Sequence, residues 1–451
     1  MELHTTHSQH KVRRSVIAAV AAVASAAVLT GCGSSGGTAS ESTSTEDWPD
    51  LSGQSIEVAA AWSGTEQSNF EQVLDEFESL TGATVTYSSY GDNMATTLNT
   101  KIAGGGAPDV AIVSSPALLK TLAQSGDLVA VSEETQELVS ANYSSDWADM
   151  ATVDGDLYGV WFKASNKSTV WYNVDVYDEA GVSAPTDWDG FLDTLQTLSD
   201  AGYYGISVGA DAGWPLTDWF ENVYLRTAGG DLYDQLSNHE IAWTDESVTV
   251  ALQTLSELWS NDQIVQPGGD QRTWNESVAQ VFGDTPAAGT VYEGDFVASE
   301  ISDATSSVLG ENALFYNFPS IDGSGDAVVG GGDVAVQLGD NDAAAALMQF
   351  LATPEAAEIW VQLGGFTSPN QAVDTSLYPD EITKQSAEAL TNAETFRFDM
   401  SDLAPSEFGS TKGSGEWQIL IEFYQDPSED NIASIQQELE DAAAAATGWG
   451  N

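Results

Sequence analysis

Ser55-Ile56-Glu57-Val58-Ala59-Ala60-Ala61, followed closely by Ser63-Gly64-Thr65-Glu66, is the stretch of sequence that sets the fold class. The first segment is typical of a buried strand, because it is short and mostly apolar. The second segment has the Ser-x-x-Glu spacing of a capping box, which predicts that a helix begins there. Apolar residues then recur on one helical face, and Gly82 predicts the end of the helix. That face comprises Phe70, Val73, Leu74, Phe77 and Leu80.

The strand-helix order repeats along the chain. Residues 85–87 and 108–113 predict two further strands, with a helix over 93–102 between them. Beyond residue 155 the pattern predicts strands at 157–162, 168–172, 204–208, 287–292 and 332–338, and helices at 188–198, 215–228, 246–260, 341–352, 354–363 and 432–439. Such repetition builds sheets with parallel neighbours covered by helices, so the predicted fold class is α/β.

The N-terminus has the pattern of an export signal. A 14-residue apolar run at 16–29 follows Lys11 and the Arg13-Arg14 pair, and it is shorter than the roughly 20 residues that span a bilayer. Leu29-Thr30-Gly31-Cys32 resembles a lipobox, so we expect removal of residues 1–31 and lipid attachment to Cys32. An incidental cysteine behind a plain signal peptide is the alternative. The paired arginines leave open whether export follows the general secretory or the twin-arginine route.

The segment behind Cys32 predicts how the protein meets the membrane. Residues 32–53 are rich in Gly, Ser and Thr, which is typical of a flexible tether. A folded body on a lipidated tether is anchored to the outer face of the cell membrane and not embedded in it.

The charge of the chain excludes several classes of partner. The 451 residues include 12 Lys and Arg against 69 Asp and Glu, and residues 32–451 keep nine basic and 68 acidic residues, a formal charge of −59. Such a surface repels nucleic acid and anionic lipid headgroups, so only the lipid anchor is expected to hold the protein at the membrane. About 400 residues follow the tether, with 42% hydrophobic residues and 14 Trp overall, enough for two cores.

Cysteine and histidine are too scarce for several kinds of site. Cys32 is the single cysteine, and His239 is the single histidine after the predicted signal peptide. Disulfides, cysteine-ligated metals and multi-histidine zinc sites are therefore not expected. We predict no catalytic residue, no metal and no cofactor.

Eight short segments resemble, in their order along the chain, the extracellular solute-binding proteins of carbohydrate importers driven by ATP-binding cassettes (ABC importers), a group that includes maltose- and oligosaccharide-binding lipoproteins. They are Ala61-Trp62-Ser63-Gly64, Ala107-Pro108-Asp109-Val110, Asp156-Leu157-Tyr158-Gly159-Val160, Thr169-Val170-Trp171-Tyr172-Asn173, Pro185-Thr186-Asp187-Trp188, Tyr292-Glu293-Gly294-Asp295-Phe296, Gly330-Gly331-Gly332-Asp333 and Pro354-Glu355-Ala356-Ala357. No single segment is specific, and the weight lies in their order and spacing.

The resemblance implies a periplasmic-binding-protein-like fold with two α/β lobes, a hinge and an interlobe cleft. It assigns residues 54–162 and 331–370 to lobe one, and residues 163–330 and 371–447 to lobe two. The expected function is a non-catalytic receptor, a monomer, that captures a neutral mono- or oligosaccharide and delivers it to a membrane permease.

Candidate ligand-binding residues follow from the chemistry of a sugar, which offers C–H faces and a belt of hydroxyls. Ligands of α/β sheets bind beyond the carboxyl ends of the strands, which favours Trp62, Glu66, Ser114, Ser115 and the Trp171-Tyr172 pair. The candidate stacking rings are Trp62, Trp171, Tyr172, Trp214 and Trp219. The candidate acceptors are Glu66, Glu293, Asp295 and Asp333, with Lys163 as a donor. The resemblance adds the Gly331-Gly332 backbone and Trp417.

Each candidate also has a purely structural explanation. Tryptophan in strands and helices is usually core, Glu66 can serve the capping box alone, and Glu293 and Asp295 can mark a helix N-terminus. Two other functions stay open at this point. One is a lipid-anchored glycoside hydrolase with two carboxylates across a cleft. The other is a receptor for glycerol phosphate or another anionic solute, held by Arg226 or Arg272.

Overall fold

The computed structural model describes residues 48–449, so the predicted signal peptide, Cys32 and most of the tether lie outside the described residues. The strands are β1 (Ser55–Ala60), β2 (Thr84–Ser89), β3 (Val110–Val113), β4 (Thr152–Val153), β5 (Asp156–Leu157), β6 (Gly159–Asn166), β7 (Thr169–Asn173), β8 (Tyr204–Ser207), β9 (Ala288–Tyr292), β10 (Ala313–Asn317), β11 (Ala327–Gln337) and β12 (Thr395–Phe398).

The helices alternate with these strands over most of the chain. They are α1 (Gly64–Thr81), α2 (Met94–Ala103), α3 (Pro116–Ser125), α4 (Glu133–Asn142), α5 (Ser145–Met150), α6 (Val174–Ala180), α7 (Trp188–Asp200), α8 (Trp214–Ala228), α9 (Gly230–Ser237), α10 (Glu246–Trp259), α11 (Trp274–Phe282), α12 (Val297–Ala304), α13 (Asp342–Leu351), α14 (Pro354–Val361), α15 (Glu381–Asn392), α16 (Met400–Leu403), α17 (Ser406–Gly409), α18 (Gly415–Gln425) and α19 (Glu429–Ala445). The predicted α/β class is confirmed, although β4, β10 and β12 were not predicted.

The first sheet has the strand order β12-β11-β3-β1-β2, with β6 also paired to β11. β1 lies parallel to both β2 and β3, as the strand-helix repeat predicts. β11 is longer than the predicted strand at 332–338. One of its edges pairs first with β12 and then with β3, while the other edge pairs with β6. β11 therefore organises this half of the molecule.

The second sheet has the order β10-β7-β9-β8, in which β8 and β9 are parallel and the other pairs are antiparallel. Its two faces bury different side chains. Val170 and Tyr292 belong to one hydrophobic cluster, whereas Trp171 and Val291 belong to another. This division follows from the alternation of side chains across a strand, so neighbours in β7 point to opposite faces of the sheet.

Two lobes form around the two sheets, each with its own core. The first core draws on residues 51–162 and 334–373 with Phe398, and the second draws on residues 170–329 and 400–446 with Ile382. β6 and β11 carry the chain between the lobes, and the predicted boundaries at 162/163 and 330/331 fall inside these two strands.

β12 differs from the predicted division, which placed all of 371–447 in lobe two. It pairs in parallel with β11, and Phe398 lies 5.4 Å from the Trp161 ring in the first core. The reason is that β3 leaves the 327–330 end of β11 unpaired, and β12 fills that edge. The remaining lobe boundaries stay a prediction.

The start of α1 corrects one detail of the sequence analysis. Ser63 occupies the N-cap position, but its side chain makes no capping hydrogen bond, and Glu66 is engaged elsewhere. Gly82 ends the helix as predicted, with a left-handed φ of 73°. The Ser-x-x-Glu spacing therefore predicted the start of the helix correctly, although Ser63 makes no capping hydrogen bond.

Candidate functional site

A cavity of about 330 Å³ lies between the two lobes, at the lower end of the range typical of ligand pockets. Residues after the carboxyl ends of β1, β2 and β3 line it from the first lobe, and residues after β8 and β9 line it from the second. β6 and β11 supply its floor, with Lys163, Ser165, Gly332 and Asp333. This is the location that the strand-end rule for α/β sheets predicts.

Aromatic rings form much of the cavity wall. They are Trp62, Trp214, Trp274, Trp417 and Phe296. Trp62 is fixed edge-on against Phe70 and Trp360, with ring centroids 4.9 Å apart in both cases. On the opposite lobe, Phe296 packs against both Trp214 and Trp274. The wall therefore carries flat apolar surfaces that pack against neighbouring rings.

Lys163 is a buried cation in the cavity floor. Its Nζ lies 2.5 Å from Glu66 Oε1 and within 6 Å of the ring centroids of Trp62, Trp360 and Phe296. Burial lowers the pKa of Lys163, but Glu66 and other nearby carboxylates outweigh this effect and raise it above its ordinary value. The ammonium group is thus charged and already paired.

Asp333 lies opposite Lys163 in the β6–β11 ladder. The register shifts between Asp333 and Val334, because Phe162 is an extra residue in β6 at this point. Burial raises the pKa of Asp333 to about 6, although Lys163 and a hydrogen bond from Trp62 act to lower it. A bulge of this kind re-aims side chains, and here it lies directly beneath the cavity.

Lys167 forms a second charged cluster that the sequence analysis missed. Its Nζ lies 3.1 Å from Asp218 Oδ1 and also contacts Asp399. Burial alone would raise the pKa of Asp399, but Lys167 and hydrogen bonds from Ser401 and the Asp402 amide hold it at about 2.

Asp402 lines the cavity beside Asp399 and is the second acid of this cluster. Burial and the neighbouring Asp399 raise its pKa to about 7. Ser114 Oγ donates to Asp402 Oδ1 at 3.0 Å, and Ser115 Oγ donates to the Asp402 carbonyl at 2.8 Å. The two serines that the strand-end rule selected therefore orient a cavity acid.

A sequence pattern could have revealed Lys167. Lys163, Ser165 and Lys167 recur at every second residue, so they share one face of an extended strand. Two lysines with this spacing stand out, because residues 32–451 contain nine basic residues in total. No comparable pattern points to Trp274, Asp399 or Asp402, since ordinary loop and helix positions carry them.

The structure brings nine of the predicted residues together around the cavity. They are Trp62, Glu66, Ser114, Ser115, Lys163, Trp214, Gly332, Asp333 and Trp417. Their roles toward a ligand stay a prediction. What the structure adds is that they share one space, with rings on the walls and charged groups in the floor.

Three predicted aromatic platforms do not line the cavity. Trp171 is fully buried in the second lobe, and its Nε1 donates to Thr169 Oγ1 at 2.9 Å. Tyr172 points to the opposite face of the sheet, with its ring 4.5 Å from that of Tyr177. Trp219 lies on α8 in the core, 4.4 Å from the Tyr292 ring. The prediction that these three rings face the ligand does not fit their positions, because Trp171 and Trp219 lie in the core and Tyr172 packs against it, half-buried.

Three further candidates lie beneath the cavity and do not line it. Glu293 is 2% exposed, and burial raises its pKa well above the ordinary value. Asp295 is also buried and accepts hydrogen bonds from Thr367 and Ser386. Gly331 faces the stem of Lys167, where a Cβ would lie 2.9 Å from Cε, so it leaves room for that lysine. The prediction that Glu293, Asp295 and Gly331 contact the ligand therefore does not fit their positions.

The two arginines considered for an anionic ligand also lie outside the cavity. Arg226 is buried and donates to Asn222 and to the carbonyl oxygens of Phe318 and Ala327. Arg272 donates to the carbonyl oxygens of Val208 and Pro267. Both guanidinium groups hold the backbone together. Within residues 48–449, no group of His, Cys, Asp and Glu has the arrangement of a metal site.

Comparison with known proteins settles the family. The family model for bacterial extracellular solute-binding proteins matches residues 61–358, more than half of the chain. The chain belongs to this family. It is therefore an extracytoplasmic solute receptor and not an enzyme. Among the described residues, no helix has both the length and the hydrophobicity needed to span a bilayer.

Two relatives match most of the chain. The osmoprotective compounds-binding protein GgtB of Synechocystis is 33% identical over 79% of this chain and 86% of its own length. The alpha-glucosides-binding periplasmic protein AglE of Rhizobium meliloti is 30% identical over 87% of this chain and 88% of its own length. The bacterial solute receptor AcbH has the same two-lobed fold, with a TM-score of 0.78 at 20% identity over 87% of this chain and 98% of that one.

Asp333 and Asp402, the two cavity-lining acids whose pKa is raised, predict a pH dependence of stability. A carboxyl whose pKa is higher in the folded state binds more protons there than in the unfolded chain, so stability falls as pH rises from about 4 through the folded pKa. We expect Asp402→Asn to raise the melting temperature of the ligand-free protein more at pH 8 than at pH 5. Thermal unfolding at the two pH values measures this, with exposed Asp303→Asn as the control for loss of one carboxylate. An equal effect of Asp402→Asn at both values would contradict the raised pKa.

Proposed function

We propose that this protein is the substrate-binding component of an ABC sugar importer, which captures a neutral mono- or oligosaccharide between its lobes and delivers it to a membrane permease. The observation that carries the proposal is the composition of the cavity. Indole and phenyl rings form much of its wall, its polar groups are six carboxylates, two lysines and several hydroxyl and amide side chains, and both lysines already pair with carboxylates.

Rings and carboxylates suit the two surfaces of a sugar. Trp62 and Trp214 come from opposite lobes and offer flat apolar area for the C–H faces of a pyranose. Glu66, Asp333 and Asp402 offer acceptors for its hydroxyl groups, and a hydrogen bond to a charged acceptor is stronger than one between neutral groups. Asp333 and Asp402 can also donate a hydrogen bond in the fraction of molecules that carry the proton.

The charge of the cavity disfavours an anionic ligand. Six carboxylates and two lysines line it, and each lysine contacts at least one carboxylate. A phosphate group would have to break one of these pairs and approach the remaining carboxylates. Because Arg226 and Arg272 are bound to backbone carbonyls elsewhere, they are not free to compensate.

The relatives support the class of ligand but not its identity. GgtB is named for osmoprotective compounds and AglE for alpha-glucosides, whereas AcbH prefers β-D-galactopyranose. One fold thus serves several sugars, and the choice depends on side chains that the fold leaves free to vary. We assign this chain a neutral saccharide without naming one.

Lobe closure is the step that ligand binding would drive. β6 and β11 run through both lobes, so they are suited to act as the hinge. A ligand favours the closed form if it contacts both walls at once, which a guest between Trp62 and Trp214 would do.

Delivery to a permease fits a lipid-anchored monomer. In this proposal residues 1–31 are removed, Cys32 carries lipid, and residues 32–53 tether the lobes to the outer face of the membrane. We expect Cys32→Ala to move the protein from the membrane fraction to the soluble fraction, because the acidic body has no affinity for anionic lipid of its own. Fractionation followed by immunoblotting measures this. Full retention in the membrane fraction would contradict the anchor.

A thermal-shift panel tests the class of ligand. The probes are maltose, sucrose, trehalose, galactose and raffinose, with glucose 6-phosphate as the anionic comparison. A ligand that binds the folded state alone stabilises it by mass action, by about 2.7 kcal/mol at a concentration of 100 times Kd. We expect at least one neutral sugar to raise the melting temperature and the phosphate ester to leave it unchanged. The reverse result would contradict the proposal.

Two tryptophan variants separate the wall of the cavity from the core. Trp214→Ala removes a half-buried ring from the wall, so we expect the sugar-induced shift to fall while the ligand-free melting temperature changes little. Trp171→Phe loses a buried hydrogen bond and packing in the core, so we expect the opposite pattern. The same panel measures both variants. An undiminished shift in Trp214→Ala would remove this ring from the proposed site.

A further inference from the structure

Lys412 lies at the rim of the cavity, in the segment between α17 and α18. Its Nζ is 3.1 Å from Asp92 Oδ2 and 3.5 Å from Asp211 Oδ2. Asp92 follows β2 in the first lobe, whereas Asp211 and Lys412 belong to the second. A single ammonium group therefore contacts carboxylates from opposite lobes, and both of these carboxylates line the cavity.

The charge of the molecule makes this contact more important than an ordinary surface ion pair. Exposed pairs contribute little to stability, and these three side chains are between 31% and 41% exposed. However, without Lys412 the rim would present two carboxylates to each other across the opening. Both lobes are also strongly acidic, so closure brings like charges together. The lysine thus replaces a repulsion with an attraction.

We infer that Lys412 is a positioning residue that holds the lobes in the closed arrangement by bridging Asp92 and Asp211. It acts on closure and not on the sugar, and it slows ligand release by stabilising the closed form. Its effect on ligand release rests on the proposed function, whereas its effect on lobe position does not.

The experiment uses the mature protein and four variants. Lys412→Gln removes the bridge, and Lys412→Arg keeps it. The double variant Lys412→Gln/Asp92→Asn removes the bridge. It also removes the repulsion between Asp92 and Asp211 that loss of the lysine would leave. Lys120→Gln removes one positive charge from α3, at a lysine that pairs with no carboxylate among the described residues, and serves as the control.

The first measurement is the dissociation rate, by stopped-flow tryptophan fluorescence, of the panel sugar that gives the largest thermal shift. We expect Lys412→Gln to raise this rate about fivefold, Lys412→Arg and Lys120→Gln to match the wild type, and the double variant to recover most of the loss. Recovery distinguishes a bridge from direct contact, since removing Asp92 would not restore a lost ligand hydrogen bond. An unchanged rate in Lys412→Gln, or no recovery in the double variant, overturns the inference.

The second measurement is the radius of gyration of the ligand-free proteins by small-angle X-ray scattering. If no panel sugar binds the wild type, the proposed function fails and this measurement alone decides the inference. We expect a larger radius for Lys412→Gln than for the wild type and for Lys412→Arg. If no panel sugar binds, an unchanged radius of gyration in Lys412→Gln overturns the inference that Lys412 holds the lobes together.

Discussion

The pairing of β6 with β11 is the interaction on which the cavity and both lobes depend. These two strands run antiparallel from Gly159 opposite Val336 to Asn166 opposite Gly330, and both lobes are built around their continuations. β6 and the residue after it bring Lys163, Ser165 and Lys167 to the floor, and β11 brings Asp333. Because these groups lie on or next to the two strands that the lobes share, each lobe supplies a partner: Glu66 pairs with Lys163, and Asp218 pairs with Lys167.

Burying cations in a chain with so few of them requires nearby carboxylates. Lys163 and Lys167 would be unstable as isolated charges, since removing an ammonium ion from water is costly. Glu66 compensates the first, and Asp218 with Asp399 compensates the second. An anion at this site would have to compete with the carboxylates that already lie beside each lysine. The same contacts therefore stabilise the buried charges and set the electrostatics of the cavity.

Much of the fold could be predicted from the sequence because it depends on local patterns. Helical periodicity located α1 and α7, and the apolar runs located β1, β3 and β9. The errors have a different origin. Whether Trp171 or Tyr172 faces a cleft depends on which side of β7 is covered, and both sides are covered here. The position of β12 depends on an edge of β11 that no local pattern reveals. For the candidate site, the strand-end rule selected Trp62, Glu66, Ser114 and Ser115, which line the cavity, but also Trp171 and Tyr172, which do not. Asp399 and Asp402 come from a distant part of the chain and were not predicted.

The paired floor has a consequence for the thermodynamics of recognition. Its lysines and carboxylates are held by one another and by packed rings before any guest arrives, so little side-chain freedom is lost on binding. Such preorganisation favours affinity for a guest that matches the existing arrangement. It also limits adaptation to guests of other shapes, because a rearranged floor would leave a buried charge without its partner.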